Sequence, residues 1–366
     1  MKPHRRGRAA AAGLLVALLA ASCGGGGDVQ VADATTTSST STTTSTTTTV
    51  PAGPLAPLTG LQLEVGSTLV DQPAIMVKIS NNDGQSLKAL TGIDQADVVI
   101  EERIEDRATR FAAIFHTNLP EKVGAVRSGR PADIDLMSNL NTPLLAFSGA
   151  FSTVLRDITQ FAAGGGAVLV VDDGRGVNLT RDDVNLDRPD NLFVDLPFIL
   201  DKFGEEAGAA APIFDFLGAE AAQSSEDEPG EAFTVRGRDV VSFVWDADRG
   251  YVRVQDGVVH VTAEGVPLVT DNLVVMETIY TPSSYDPRNV DADTLGEGPA
   301  SVLMNGQRFA GTWTRPTPAD PYRFLDSSGE AILLTPGTTW LTLVPVGSYE
   351  FDVEDEIKEL VLNGEG

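Results

Sequence analysis

The residues best suited to chemistry lie in one charged block among apolar runs, Asp97-Val98-Val99-Ile100-Glu101-Glu102-Arg103-Ile104-Glu105-Asp106-Arg107-Ala108-Thr109-Arg110, which leads into Phe111–Phe115. Glu101 and Glu105 could serve as an acid/base pair, because hydrolysis of a glycan or peptide needs one carboxyl group to give a proton and one to take it. Four residues along a strand span about 13 Å, too far for a glycosidase pair unless the chain bends between them. A second group follows in Gly124-Ala125-Val126-Arg127-Ser128-Gly129-Arg130-Pro131. Two arginines flanking a serine and a glycine, just before an expected helix start, could hold a carboxylate or phosphate with help from the helix dipole. Glu101, Glu105, Arg110, Arg127, Ser128 and Arg130 are therefore the candidate ligand-binding residues. The competing reading uses the same charges as scaffolding, with Glu101 and Glu105 paired to Arg110, Arg127 or Arg130.

The rest of the inventory is thin. Beyond His4 the only histidines are His116 and His260, and the only cysteine is Cys23. Zinc sites of the His/Cys type lack ligands, and a Ser-His-Asp triad would have to use one of two widely separated histidines. No phosphate-binding loop or dinucleotide fingerprint occurs, so no cofactor is expected. Asp172, Asp173, Asp182, Asp183, Asp187 and Asp190 could offer oxygens to calcium, but their spacing fits no EF-hand, and no metal site is assigned. With 52 acidic against 26 basic residues and a formal charge of −26, the surface repels phosphate backbones, which excludes nucleic acid as a ligand class.

Several elements must position these residues. Before about residue 218, apolar runs at Pro73–Ile79, Asp97–Ile104, Arg110–Thr117, Leu144–Ser148 and Ala167–Val171 predict strands. Helices are expected over Pro131–Leu140, Ser152–Phe161 and Pro197–Glu206. Residues 55–218 thus read as an α/β or α+β domain. The acidic, turn-forming stretch 219–232 reads as a linker. Residues 233–366 then show period-two runs and tight turns, above all Asn305-Gly306 between Ala300–Met304 and Gln307–Arg315, which predicts a mostly antiparallel β domain. Trp313 and Trp340 fall on expected strands, where core packing outweighs a sugar-stacking role.

The amino-terminal segment locates the protein. Lys2, Arg5, Arg6 and Arg8 precede an apolar run, Ala9–Ala21, of about 13 residues, which is shorter than the roughly 20 that span a bilayer. Residues 1–22 therefore read as an export signal, and Cys23 as the lipidation site. Ala20 stands three residues before Cys23, where the usual motif has leucine. Residues 23–54 read as a tether: Thr35–Thr49 is an unbroken run of serine and threonine that has nothing apolar to bury.

Ala96-Asp97-Val98-Val99-Ile100-Glu101, Glu105, Thr109-Arg110-Phe111 and Val126-Arg127-Ser128 with Arg130-Pro131 resemble the YerB-like lipoproteins, a two-part family without an assigned activity. The resemblance continues at Pro57–Gly60, Asn191–Phe193, Asn272–Val275, Gly311–Trp313 and Gly337–Trp340. It implies an extracytoplasmic lipoprotein with an α/β first part and a β-rich second part, and it supplies no reaction. Relatives carry a His-Ala-Gly-Gly stretch where this chain has Phe147-Ser148-Gly149-Ala150, and two glycines where it has Asp106 and Arg107. The combined expectation is a membrane-anchored binding module for a cell-envelope polymer or envelope protein. The alternative is a hydrolase of envelope glycan or peptide using the Glu101/Glu105 pair. Cys23→Ala should move the protein from the membrane fraction to the soluble fraction, and unchanged sedimentation with membranes would remove the lipid anchor from the account.

Overall fold

The computed structural model describes residues 53–81, 84–172, 175–182, 184–218, 221, 223, 229–283 and 289–364. The expected signal peptide, Cys23, nearly all of the tether, most of the 219–232 linker, and Asp173 and Asp183 lie outside the described residues.

The strands that matter here are, in chain order, β1 (Ile75–Asn81), β2 (Val98–Arg103), β3 (Thr109–Phe115), β4 (Leu144–Phe147) and β5 (Val168–Val171). After them come β6 (Ala232–Arg236), β7 (Val240–Asp246), β8 (Gly250–Gln255), β9 (Asn272–Thr278) and β10 (Gly296–Met304). The last are β11 (Gln307–Arg315), β12 (Arg323–Leu325), β13 (Ala331–Ile332) and β14 (Thr339–Pro345). The apolar runs extend as predicted because both faces of the large sheet are buried, which favours continuous Val/Ile/Leu/Ala segments.

That sheet has 11 strands in the order β13-β12-β11-β10-β9-β14-β2-β3-β1-β4-β5. It takes strands from both expected halves: β2 pairs in parallel with β14, and in antiparallel with β3. β1 is antiparallel to β3 and parallel to β4, and β9 is parallel to β14. β9, β14, β2, β1 and β4 therefore present their carboxyl ends on one rim, with the start of β3 inserted among them. The first part is a mixed sheet with few helices. The second part is mostly antiparallel β, including a smaller sheet built on β6, β7 and β8.

Alternation along the strands divides the interior. Met76, Val98, Ile100, Ala112 and Ile114 face one core, which the helix Ser152–Ala163 covers through Val154 and Ile158. Val77, Val99, Phe111 and Ala113 face the other, closed by Leu196 and Ile199 of the helix Leu196–Phe203 and by Phe233, Phe243 and Tyr251 of the smaller sheet. The expected helix over Pro131–Leu140 is shorter, Asp133–Met137. The acidic tail forms the helix Asp355–Leu362, whose Val361 packs on Val244 and Val252. Trp313 and Trp340 are both core residues.

Asp97 fixes the entry to β2. Its carboxylate accepts the backbone N–H groups of His116 (2.5 Å) and Thr117 (2.9 Å), which tie off the end of β3. Burial is the larger influence and pushes its pKa up to about 6. The folded state thus holds a proton that the unfolded state releases near pH 3.8. Asp97 accordingly contributes stability that is full below that value and is lost as the pH rises through about 6, an effect of about 3 kcal/mol. The melting temperature should fall between pH 4 and pH 7, and Asp97→Asn should remove part of that slope. An identical slope in the variant would show that burial of Asp97 is not its source.

Candidate functional site

The charged block sits on the carboxyl rim, and strand alternation splits it. In the β2–β3 register, Glu101 lies opposite Phe111, Glu102 opposite Arg110 and Arg103 opposite Thr109. Neighbours on one strand point to opposite faces. Glu101 and Glu102 therefore enter different cores.

On the first face the charges form a closed network. Lys78 Nζ donates to Glu102 Oε1 (2.5 Å) and to Asp133 Oδ1 (2.6 Å), and all three side chains are buried. Burial drives the Glu102 carboxyl pKa up against the pull of Lys78. Asp133 Oδ2 accepts the Arg130 backbone N–H (2.7 Å), while the Arg130 guanidinium donates to Glu105 Oε1 (2.8 Å) and Asn289 Oδ1 (3.2 Å). Arg110 donates to the Ser128 carbonyl (3.4 Å), and burial, then Arg130 and Arg127, hold its pKa down to about 9. Arg127 pairs instead with Asp190 (2.5 Å), and Ser128 Oγ donates to the Ser148 carbonyl (3.3 Å).

The arrangement differs from the anion cradle expected of Arg127, Ser128 and Arg130. The two arginines face different carboxylates, and the Asp133 carboxylate already occupies the start of the short helix. Glu105, Arg110 and Arg130 are brought together, Arg127 and Ser128 flank them, and Glu101 is separated from all five.

Glu101 belongs to the second face. Its carboxylate accepts from Arg253 Nη2 (2.8 Å), Trp340 Nε1 (3.1 Å) and Thr109 Oγ1 (2.7 Å) and is 3% exposed. Arg253 is fully buried among Phe111, Phe243 and Trp340, whose ring centroids lie 5.3, 6.0 and 5.4 Å from its guanidinium carbon. Its Nη1 also donates to Gln255 (2.8 Å) and contacts His260 Nδ1.

Beyond Glu101 the rim opens into a pocket of about 240 Å³. Arg103, Arg107, Arg236 and Asp239 line it with Thr109, against an apolar wall of Val235, Val241, Leu343, Val344 and Pro345. The β2–β3 turn supplies Arg107: Ile104 N–H donates to the Ala108 carbonyl (2.8 Å), and the Arg107 carbonyl accepts from Arg238 N–H (2.9 Å) in the β6–β7 turn. Asp106 and Arg107 have φ of 57° and 61°, the left-handed region that favours glycine. Both residues thus hold a backbone conformation that glycine adopts more readily, and Arg107 places its side chain at the mouth of the pocket.

Sequence reasoning missed Arg103 and Arg107 as pocket residues although both lie in the charged block. Arg236, Asp239 and Arg253 had no local signal, because only the packing of the smaller sheet brings them to the rim.

Comparison with known proteins agrees with this architecture. Residues 58–209 match the N-terminal domain, and residues 232–341 the C-terminal domain, of a family described as protein of unknown function (DUF3048). "Putative lipoprotein YerB" of Bacillus subtilis (strain 168) is 26% identical over 302 residues, covering 79% of this chain and 86% of that protein. The chain belongs to the YerB-like family. The crystal structure of the YerB protein from Bacillus subtilis has the same fold, with a TM-score of 0.67 at 22% identity over 81% of this chain and 99% of the other. The YerB-like assignment supports a lipoprotein of unknown function and carries no reaction.

The Glu101–Arg253 pair gives a direct test of the site's frame. Glu101→Leu leaves the Arg253 charge buried without its counter-ion and should cost about 3–5 kcal/mol in chemical denaturation. Glu101→Leu with Arg253→Met should recover most of that loss, and a double variant no more stable than the single one would contradict the pairing.

Proposed function

We propose that this YerB-like protein is a membrane-anchored extracytoplasmic binding module whose rim pocket holds an anionic group of a cell-envelope polymer or envelope protein. The observation that carries this reading is the convergence of Arg103, Arg107 and Arg236 on one pocket in a chain of net charge −26. The floor carboxylate, Glu101, is already engaged by Arg253, Trp340 and Thr109, so it does not compete for those arginines. Arg236 also pairs with Glu350 (2.9 Å), but more than half of each side chain is exposed, and such a pair exchanges readily for a ligand. The apolar wall suits a group that carries its charge on a small aliphatic body.

In this reading Glu105, Arg110, Arg127, Ser128 and Arg130 hold the rim from behind, and Glu101 forms part of the pocket. The acid/base reading is not carried forward: Glu101 and Glu105 are bound to different arginines, Arg253 and Arg130. The acidic surface argues against nucleic acid.

Purified envelope fractions offered to the protein should retain it without releasing glycan or peptide fragments. Arg107→Ala with Arg236→Ala should weaken retention at least about tenfold, since contacts from charged donors contribute about 1.5–3 kcal/mol each. Undiminished retention would sink the pocket assignment, and product release that disappears in Glu101→Gln would replace binding with hydrolysis.

A further inference from the structure

The rim pocket carries an acid as well as its arginines. Arg238 N–H donates to the Arg107 carbonyl (2.9 Å), and this contact between two turns brings Arg107 and Asp239 to one pocket. A Cβ at Gly237 would lie 3.1 Å from the same carbonyl oxygen, so a side chain there would crowd the contact. Among the described residues neither Arg103 nor Arg107 pairs with a carboxylate. In a chain with 52 acidic and 26 basic residues, two guanidinium groups left without an acid point to one supplied from outside.

Charge and size narrow the class of that anion. Arg236, the third arginine, already holds a carboxylate, Glu350 Oε1. Two acids line the same pocket, Glu101 and Asp239, and repel a doubly charged phosphate more strongly than a single carboxylate. A volume of about 240 Å³ lies below the ~300–1,000 Å³ of sites that enclose drug-sized molecules, so the pocket takes an end group and not a length of polymer. Asp239 adds a demand of its own. Its ion-pair contact, Arg238 Nε, is 3.7 Å away, beyond hydrogen-bond reach, and its side-chain oxygens accept no hydrogen bond among the described residues. Burial raises its pKa while Arg238 pulls it down, as for a carboxylate short of donors. A ligand with an N–H next to its own carboxylate meets both demands.

Resting on the rim-pocket reading above, we propose that the pocket recognises the carboxyl-terminal residue of a peptide, one with a small aliphatic side chain. Arg103 and Arg107 hold the α-carboxylate, Asp239 accepts the backbone N–H of the same residue, and the side chain lies on the half-buried Val235 and Pro345. The last residue of a peptide alone carries a carboxylate and an amide N–H on one α-carbon, a pairing that a fatty acid or a phosphate ester lacks. Glu350 is the internal competitor, which the incoming carboxylate displaces from Arg236.

The probe is racemic N-acetyl-alanyl-alanine, titrated by calorimetry into the full chain in detergent. The free acid should bind, while its carboxamide, and the ester-linked analogue that lacks the last N–H, should each bind at least about tenfold more weakly. Arg107→Ala should weaken binding of the free acid by a similar factor. Asp239→Ala should abolish the preference for amide over ester, which a merely structural disturbance would leave in place. Glu350→Gln should strengthen binding severalfold, and this change at an exposed position decides if Asp239→Ala does not fold. Absence of peptide binding, equal binding of acid and carboxamide, an amide preference that survives Asp239→Ala, or no gain in Glu350→Gln would each overturn the proposal. Glycerol phosphate and envelope retention separate this failure from the wider one. Retention that needs Arg107 and Arg236, with binding of glycerol phosphate and not of the peptide, would overturn peptide recognition and leave the anion-binding pocket standing. Retention indifferent to both arginines would overturn both.

Discussion

The ion pair between Glu101 and Arg253 is the interaction on which the two sheets depend. It joins residues 152 positions apart, one in the large sheet and one in the smaller. A charge pair in such an interior loses more by desolvation than its mutual attraction returns, unless the remaining donors and acceptors are also met. Here Thr109, Trp340, Gln255 and His260 meet most of them, and three aromatic faces surround the guanidinium. Every member has to arrive together, so the pair specifies how the smaller sheet docks, and with it the pocket wall.

The opposite face solves a similar problem differently. Lys78, Arg110 and Arg130 are balanced against Glu102, Asp133 and Glu105. Arg110 is the least favourably placed member, since burial first, and then Arg130 and Arg127, depress its affinity for a proton. Between these interiors the β2–β3 turn crosses the rim, sending Glu105 to one side and Arg107 to the other. Charges that look like one block along the chain thus do two jobs: a shared scaffold behind, and a cationic mouth in front.

Much of the fold was legible in the sequence for a simple reason. Short apolar runs with polar or glycine punctuation leave few alternatives to strands, and Asn305-Gly306 adopts the two positive φ values, 53° and 71°, that a tight hairpin demands. Helix limits were less legible: the pattern over Pro131–Leu140 promised three turns, but Asp133 enters the Lys78 network and only Asp133–Met137 is helical. Of the candidate site, the charged block was visible but its pairing was not. Period-two alternation sends Glu101 and Glu102 apart, and the partner of Glu101 comes from Gly250–Gln255, where the run Tyr251–Gln255 reads as a strand but nothing in it marks Arg253 as the buried counter-ion.

The parallel pairing of β2 with β14 bears on how such a chain reaches its folded state. β2 gains β3 as a neighbour almost at once, but its other edge stays open until residues 339–345 are available. An open, apolar strand edge is a template for wrong partners. A chain made amino-terminus first therefore has its central sheet unfinished for nearly its whole length. A net charge of −26 opposes the close approach of copies while that edge is open, and the large sheet's last strand in the sequence closes it at its middle rather than at its margin.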